Sequence, residues 1–199
     1  MGMLSLVVAT TNQGKLREIA AVLHDADVEI VGLDSHPEWI PAVEDGLTFA
    51  QNARKKAESI ARQSGQLCLA DDSGLVVAAL GDRPGIYSAR FAHAEATDAE
   101  NNAFLLENMR GLPATQRSAA FVCAMALCSP SGDCHIFEGR LEGQILTEPR
   151  GSSGFGYDPL FWLPEQGKSL AEISLAEKNR ISHRAQTLTQ VMAYLKQAV

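Results

Sequence analysis

The sequence predicts an α/β fold built on a mixed β-sheet, and three observations carry that expectation. The chain opens with an apolar, β-branched run, Leu4–Ala9, then a polar break, then apolar residues at helical spacing (Leu16, Ile19, Ala20, Leu23). Strand-like and helix-like segments keep alternating through the first half of the chain, the pattern of parallel strands joined by helices. Later, Ser118–Cys128 and Cys134–Glu138 flank Ser129-Pro-Ser-Gly-Asp133, which reads as an antiparallel hairpin.

Taken in order, Leu4–Ala9 is a buried strand and Val28–Leu33 a second one. Asp34–Leu47 is a proline-containing acidic loop. Thr48 with Gln51 makes a capping box for a helix that runs through Lys55, Lys56 and Ile60 and stops near Gly65. Gln66–Ala70 predicts a short strand ended by Asp71-Asp72-Ser73-Gly74. A further apolar run reaches Leu80, and Gly81–Gly85 is a turn. Thr97 and Glu100 form another capping box, for a helix ending at Gly111. Leu141–Leu146 adds a strand, Glu148–Asp158 is glycine-rich, and Leu188, Val191, Met192 and Leu195 mark a C-terminal amphipathic helix.

At 199 residues, with 46% hydrophobic and 21% charged, the chain can bury a core without metals or disulfides. One domain over residues 1–199 is expected, with room for two lobes. The net charge of -7 argues against a nucleic-acid coat, which needs a cationic face. It leaves room for a small polyanion if a few cations gather locally. The four cysteines lack Cys-x-x-Cys spacing and read as buried free thiols of a reducing compartment. The histidines are scattered, without metal-ligand spacing. No run approaches a membrane span, and the apolar start is too short for a signal segment, so a soluble, cytoplasmic protein is expected.

Four segments could carry chemistry. Thr10, Thr11, Asn12, Gln13, Gly14 and Lys15 join a strand to a helix, and the unpaired amides and positive dipole of a helix start suit phosphate. The bland alternative is a capped turn with a solvated lysine. Asp71 and Asp72 adjoin in an extended stretch, so their side chains point to opposite faces. One can enter a site while the other meets a cation or the backbone. Carboxylate oxygens suit Mg²⁺, with Glu44 of the acidic loop a second source; otherwise the segment is a strand-closing turn. Phe155 sits between Gly154 and Gly156, badly placed for a core and well placed to stack on a base, with Asp158 able to accept from ring N–H groups. Lys178, His183 and Arg184 offer donors for a carbonyl or phosphate oxygen; read structurally, Ser182 only caps a helix. Gly167-Lys168-Ser169 imitates the end of a Walker A motif but lacks its first glycine, since Trp162 stands there.

Together these are the parts of a Mg²⁺–nucleoside triphosphate site. Thr10-x-Asn12-x-x-Lys15, Ala70-Asp-Asp-Ser-Gly74, Pro84-Gly-Ile-Tyr-Ser-Ala-Arg90, Gly154-Phe-Gly-Tyr-Asp-Pro159 and Ser182-His-Arg184, in that order, resemble the inosine/xanthosine triphosphate pyrophosphatase family, bacterial members above all. The resemblance runs from Leu4 to about Leu195. It implies a homodimer of elongated α/β subunits, each with a long mixed sheet flanked by helices and a central active-site cleft between two lobes. It implies Mg²⁺-dependent hydrolysis of ITP, dITP and XTP to the monophosphate and pyrophosphate, which removes deaminated purines from the nucleotide pool. By position it implies that Thr10 to Lys15 and Lys56 bind the triphosphate. Glu44 and Asp72 would hold Mg²⁺, with Asp72 also the proton acceptor. Ser73, Phe155, Gly156, Tyr157, Asp158, Lys178, His183 and Arg184 would contact the rest of the substrate. Two other readings stay open: a pyrophosphatase for pyrimidine or modified nucleotides, and a nucleotide-sensing module without turnover.

Overall fold

The structure is a computed structural model that describes residues 4–24 and 28–198. Its strands are β1 (Leu4–Val8), β2 (Val28–Gly32), β3 (Cys68–Val77), β4 (Arg83–Pro84), β5 (Ser118–Cys128), β6 (Cys134–Ile145), β7 (Phe161–Leu163) and β8 (Lys168–Ser169). Its α-helices are α1 (Gln13–Leu23), α2 (Phe49–Ser64), α3 (Asp98–Asn108), α4 (Leu175–Ile181) and α5 (His183–Ala198). The sheet order is β2-β1-β3-β5-β6-β7-β8, with β4 on β3. β1 pairs in parallel with β2 and β3, while β3–β4, β6–β7 and β7–β8 are antiparallel. The sheet is therefore mixed, as the alternation and the hairpin predict.

The chain divides into two compact units, the first made of Met1–Asp72, Cys123–Gly139 and His183–Val199, the second of Ser73–Val122 and Arg140–Ser182. In the first, β1 is covered on both faces, and its period of two sorts its residues. Leu6 and Val8 join Ile19 and Leu23 of α1 and Leu188, Val191 and Leu195 of α5. Val7 and Ala9 join Ala53, Ala57, Ile60 and Ala61 of α2. The alanines on α2 let that helix lie close to the sheet. The second unit has its own core, in which Leu75, Leu105, Met109, Phe121, Tyr157, Leu160 and Phe161 meet.

Several expectations are corrected here. Asp71-Asp72-Ser73-Gly74 does not end a strand; it lies inside β3, one continuous strand of ten residues. The polar side chains there find buried partners on both faces. Gly74 is required because a Cβ would lie 2.6 Å from the Gly85 carbonyl oxygen and 2.3 Å from Ser88 Oγ. Likewise Cys134–Glu138 and Leu141–Leu146 merge into the single strand β6. Thr48 does cap α2, accepting from the Gln51 N–H at 3.2 Å, but the Gln51 side chain accepts from Leu47, so the expected box is not closed. At Thr97 and Glu100 the box is closed. That helix stops at Asn108, ahead of Gly111. The four cysteines are not all free: Cys128 and Cys134 form a disulfide across the hairpin, whose register sets their Cα atoms 4.2 Å apart. Cys68 and Cys123 are the buried free thiols, each pushed up to about 12 by burial.

Candidate active site

The first unit gathers the phosphate and metal candidates. Thr10–Asn12 leave β1 and enter α1, with Asn12 as N-cap: its Oδ1 accepts from the Lys15 N–H at 3.0 Å, and the Asn12 N–H donates to Thr10 Oγ1 at 3.2 Å. The Asn12 amide oxygen is thus spent on the helix start. Thr11 is exposed at the bend, and the backbone at Gln13 and Gly14 forms the first helical turn, where amides lack helical partners. The Gln13 side chain turns to Asp34, donating to its Oδ2 at 3.0 Å.

Alternation along β3 divides the two aspartates between the faces of the sheet. Leu69 belongs to the α1/α5 face and Ala70 to the α2 face. Asp71 follows on the first and Asp72 on the second. Asp71 Oδ2 meets Lys15 Nζ at 3.2 Å and the Arg184 guanidinium at 3.1 Å, and Arg184 Nη1 also donates to Glu18. Burial pushes the Asp71 carboxyl up, but the Lys15, Arg184 and Lys56 charges more than reverse this and hold it well below the usual range. Arg184, expected at the substrate, is only 2% exposed and engages these two carboxylates in the interior. His183 beside it is buried as well, with its carbonyl accepting from Thr187.

On the opposite face, Asp72 Oδ2 accepts from Asn52 Nδ2 at 3.0 Å. The same Asn52 accepts from the Gly46 N–H at 2.7 Å, which ties the acidic loop to α2 two residues beyond Glu44. One helical turn along α2, Lys56 pairs with Glu44 at 3.1 Å. Its neighbour Lys55 faces outward to Asp45. Burial holds the Asp72 carboxyl above the ordinary aspartate value; Lys56, Lys15 and Asn52 oppose the rise, and the Glu44 charge adds to it. Glu44 and Asp72 thus act on one another through space, two hard oxygen donors beside Lys56, with the Lys15 charge also felt at Asp72. Among the described residues no three His, Cys, Asp or Glu side chains gather to hold a metal alone. Two carboxylates nevertheless fit Mg²⁺, which keeps water and phosphate oxygens as its other ligands.

Asn52 and Glu18 escaped the sequence reading as site residues. A polar Asn52 one turn before Lys56, on the alanine-rich face that α2 buries, was the available signal. For Glu18, nothing local distinguishes it from a solvated helix residue.

The second unit holds the glycine-rich segment, and Ser73 opens its share of β3. Gly154 and Gly156 both lie in the left-handed region, with φ of 79° and 60°. A Cβ on Gly154 would fall 2.0 Å from Asp158 Oδ2. Asp158 accepts from the Phe155 N–H at 2.9 Å and pairs with Lys178, whose Nζ lies 4.9 Å from the centre of the half-buried Phe155 ring. Asp158, expected to accept from a purine, spends Oδ2 on its own loop and on Lys178. Tyr157 is core: it packs with Leu75 and Leu160, and its hydroxyl donates to the Ser88 carbonyl at 2.8 Å.

Against known proteins, a sequence model of the Ham1 family matches residues 6–194. The dITP/XTP pyrophosphatase of Geobacter sulfurreducens is 49% identical over 193 residues, 97% of each chain. That of Geobacillus kaustophilus is 48% identical, covering 95% of this chain and 93% of its own. The solved structure of a HAM1 protein from Coxiella burnetii superposes with a TM-score of 0.89 at 41% identity, over 98% of this chain and 100% of that one.

Proposed function

The chain belongs to the Ham1 family, and from that premise we propose that it hydrolyses non-standard purine nucleoside triphosphates (dITP, ITP, XTP) to the nucleoside monophosphate and pyrophosphate. The observation that carries the reading is the Asn52 bridge, which holds Asp72 and the Glu44 loop together beside Lys56. That arrangement suits a polyphosphate and a hard cation, and little else.

The triphosphate lies against the start of α1. There the Thr10–Lys15 amides, the Lys15 ammonium and, from α2, the Lys56 ammonium take the charge of its oxygens. Glu44 and Asp72 would hold Mg²⁺, which when bound neutralises phosphate charge and helps pyrophosphate to leave. Asp72 accepts a proton from the attacking water, whose oxygen bonds to the α-phosphorus as the α–β bridging P–O bond breaks. Its raised proton affinity suits a base better than an ordinary aspartate. Asp71 does not share the role, since its charge is committed to Lys15 and Arg184; those pairs aim Lys15.

Phe155 stacks on the purine, with Lys178, whose ammonium lies beside the ring, as a donor for its 6-oxygen. Adenine places an amino group there and would leave a buried donor unpaired, at a cost of about 1–3 kcal/mol. Arg184 acts through Asp71 and not at the base. Cytoplasmic location and a homodimer belong to the same proposal; among the described residues no helix is long and apolar enough to cross a membrane. The deciding experiment measures pyrophosphate release from ITP, XTP, GTP, ATP and dUTP, with and without Mg²⁺. Turnover confined to 6-oxo purines and dependent on Mg²⁺ is expected. Preference for dUTP, or binding of ITP without release, would select one of the alternatives.

A further inference from the structure

We propose that Asp98 and Asn102 of α3 are positioning residues that aim the Phe155 ring at the purine, an inference that rests on the stacking role given to Phe155 above. Both polar groups of the Gly156 backbone are taken by this helix. The Gly156 N–H donates to Asp98 Oδ2 at 2.6 Å, and the Gly156 carbonyl accepts from Asn102 Nδ2 at 3.0 Å. Residues four apart on a helix share a face, so α3 presents the acceptor and the donor side by side to one residue.

The clamp has a firm base. Thr97 and Glu100 close the capping box at the start of α3, and Leu105 and Met109 anchor its far end in the core. Between them, Asn101 donates to the Ala89 carbonyl and accepts from the Ala92 N–H. The clamped segment needs such support. Glycines on both sides of Phe155 lose more conformational freedom on ordering than any other residue would. Asp158 fixes the backbone at Phe155 itself through its N–H. Asp98 and Asn102 fix the residue that follows, so the backbone that carries the ring is held at and after Phe155 before any base arrives. A stacking side chain ordered in advance does not lose that freedom on binding, and the gain falls on affinity.

The test is steady-state kinetics with ITP on the full chain, with inorganic tripolyphosphate as inhibitor, for Asp98→Ala, Asp98→Asn, Asn102→Ala, Phe155→Ala and the Asp98→Ala/Phe155→Ala double variant. Each alanine in α3 should raise KM for ITP roughly threefold to tenfold, the loss of one hydrogen bond, with kcat within about twofold. Inhibition by tripolyphosphate, which has no base, should not change. Asp98→Asn keeps an oxygen acceptor and should recover most of the lost KM. Once Phe155 is alanine, Asp98→Ala should add little further, because contacting groups couple. Equal effects of Asp98→Ala in both backgrounds, an Asp98→Asn as poor as the alanine, or a fall in Tm with kcat and KM moving together would overturn the proposal. Phe155→Ala alone separates it from the reading beneath it. If that variant keeps the wild-type KM, the stacking role and the clamp fall together; if it raises KM while the α3 variants do not, the clamp alone falls.

Discussion

At Asp72 the strand's geometry and its chemistry coincide. The carboxyl lies on the α2 side of β3, takes one hydrogen bond from Asn52, and has its proton affinity raised by burial against the pull of Lys56 and Lys15. An amide in its place keeps the shape and can still meet Asn52, but it neither accepts a proton nor ligates a hard cation well. Asp72→Asn should therefore lower kcat for ITP by about 10²–10⁴-fold, with a Tm close to that of the wild type. Pyrophosphate release and a thermal melt on the same preparation check both halves. Near-normal Mg²⁺-dependent turnover would remove Asp72 from its role.

Elements bring these residues within reach, and two substitutions test that. Asn52 connects α2, β3 and the acidic loop through its one amide. In Asn52→Ala, Asp72 and the Gly46 N–H each lose a buried partner, at a cost of about 1–3 kcal/mol. The acidic loop should loosen, and the Mg²⁺ concentration for half-maximal rate should rise several-fold more than KM for ITP at saturating Mg²⁺. A titration of rate against Mg²⁺ reads this, and an unchanged midpoint would show that the bridge does not set the metal site. Gly74 lets β3 pass the 3-10 turn at Gly85–Arg90 at close range. Gly74→Ala forces backbone apart and should cost about 1–3 kcal/mol, seen as a lower Tm. A Tm equal to wild type would mean that the turn yields without cost.

For the molecule as a whole, the buried charges make stability depend on pH. The folded Asp71 carboxyl titrates below an unfolded aspartate, whose value is about 3.9. Its stabilisation is therefore complete above that value and is lost as pH falls through the lower folded one. Asp71→Asn should be less stable at pH 7 by about 3 kcal/mol, because Arg184 and Lys15 lose a buried counter-charge. Its stability should also fall less steeply than wild type below about pH 4, as denaturant melts across pH 2–7 would show. Parallel curves would assign the acid sensitivity to other carboxylates. Removal of divalent ions by a chelator should stop ITP hydrolysis while leaving Tm within about 2 °C, since Asp72 and Glu44 are already held by Asn52 and Lys56.

What could be read along the chain depended on distance. Strand and helix periods, the Thr97 cap and the glycines around Phe155 act over a few residues, so they were legible, and so was the division of Asp71 from Asp72 by a two-residue period. The list of site residues came from the resemblance of short motifs, and only part of it from their chemistry. Tertiary structure alone decided who partners whom. Arg184 meets Glu18 across 166 residues, Asn102 meets Gly156 across 54, and Asn52 meets Asp72 across 20. Arg184 looked like a ligand donor because an isolated arginine at a helix start faces water; folded, it lies among carboxylates that no local pattern connects to it. A buried charge must find its counter-charge wherever the packing puts one, and that choice is made by the whole fold.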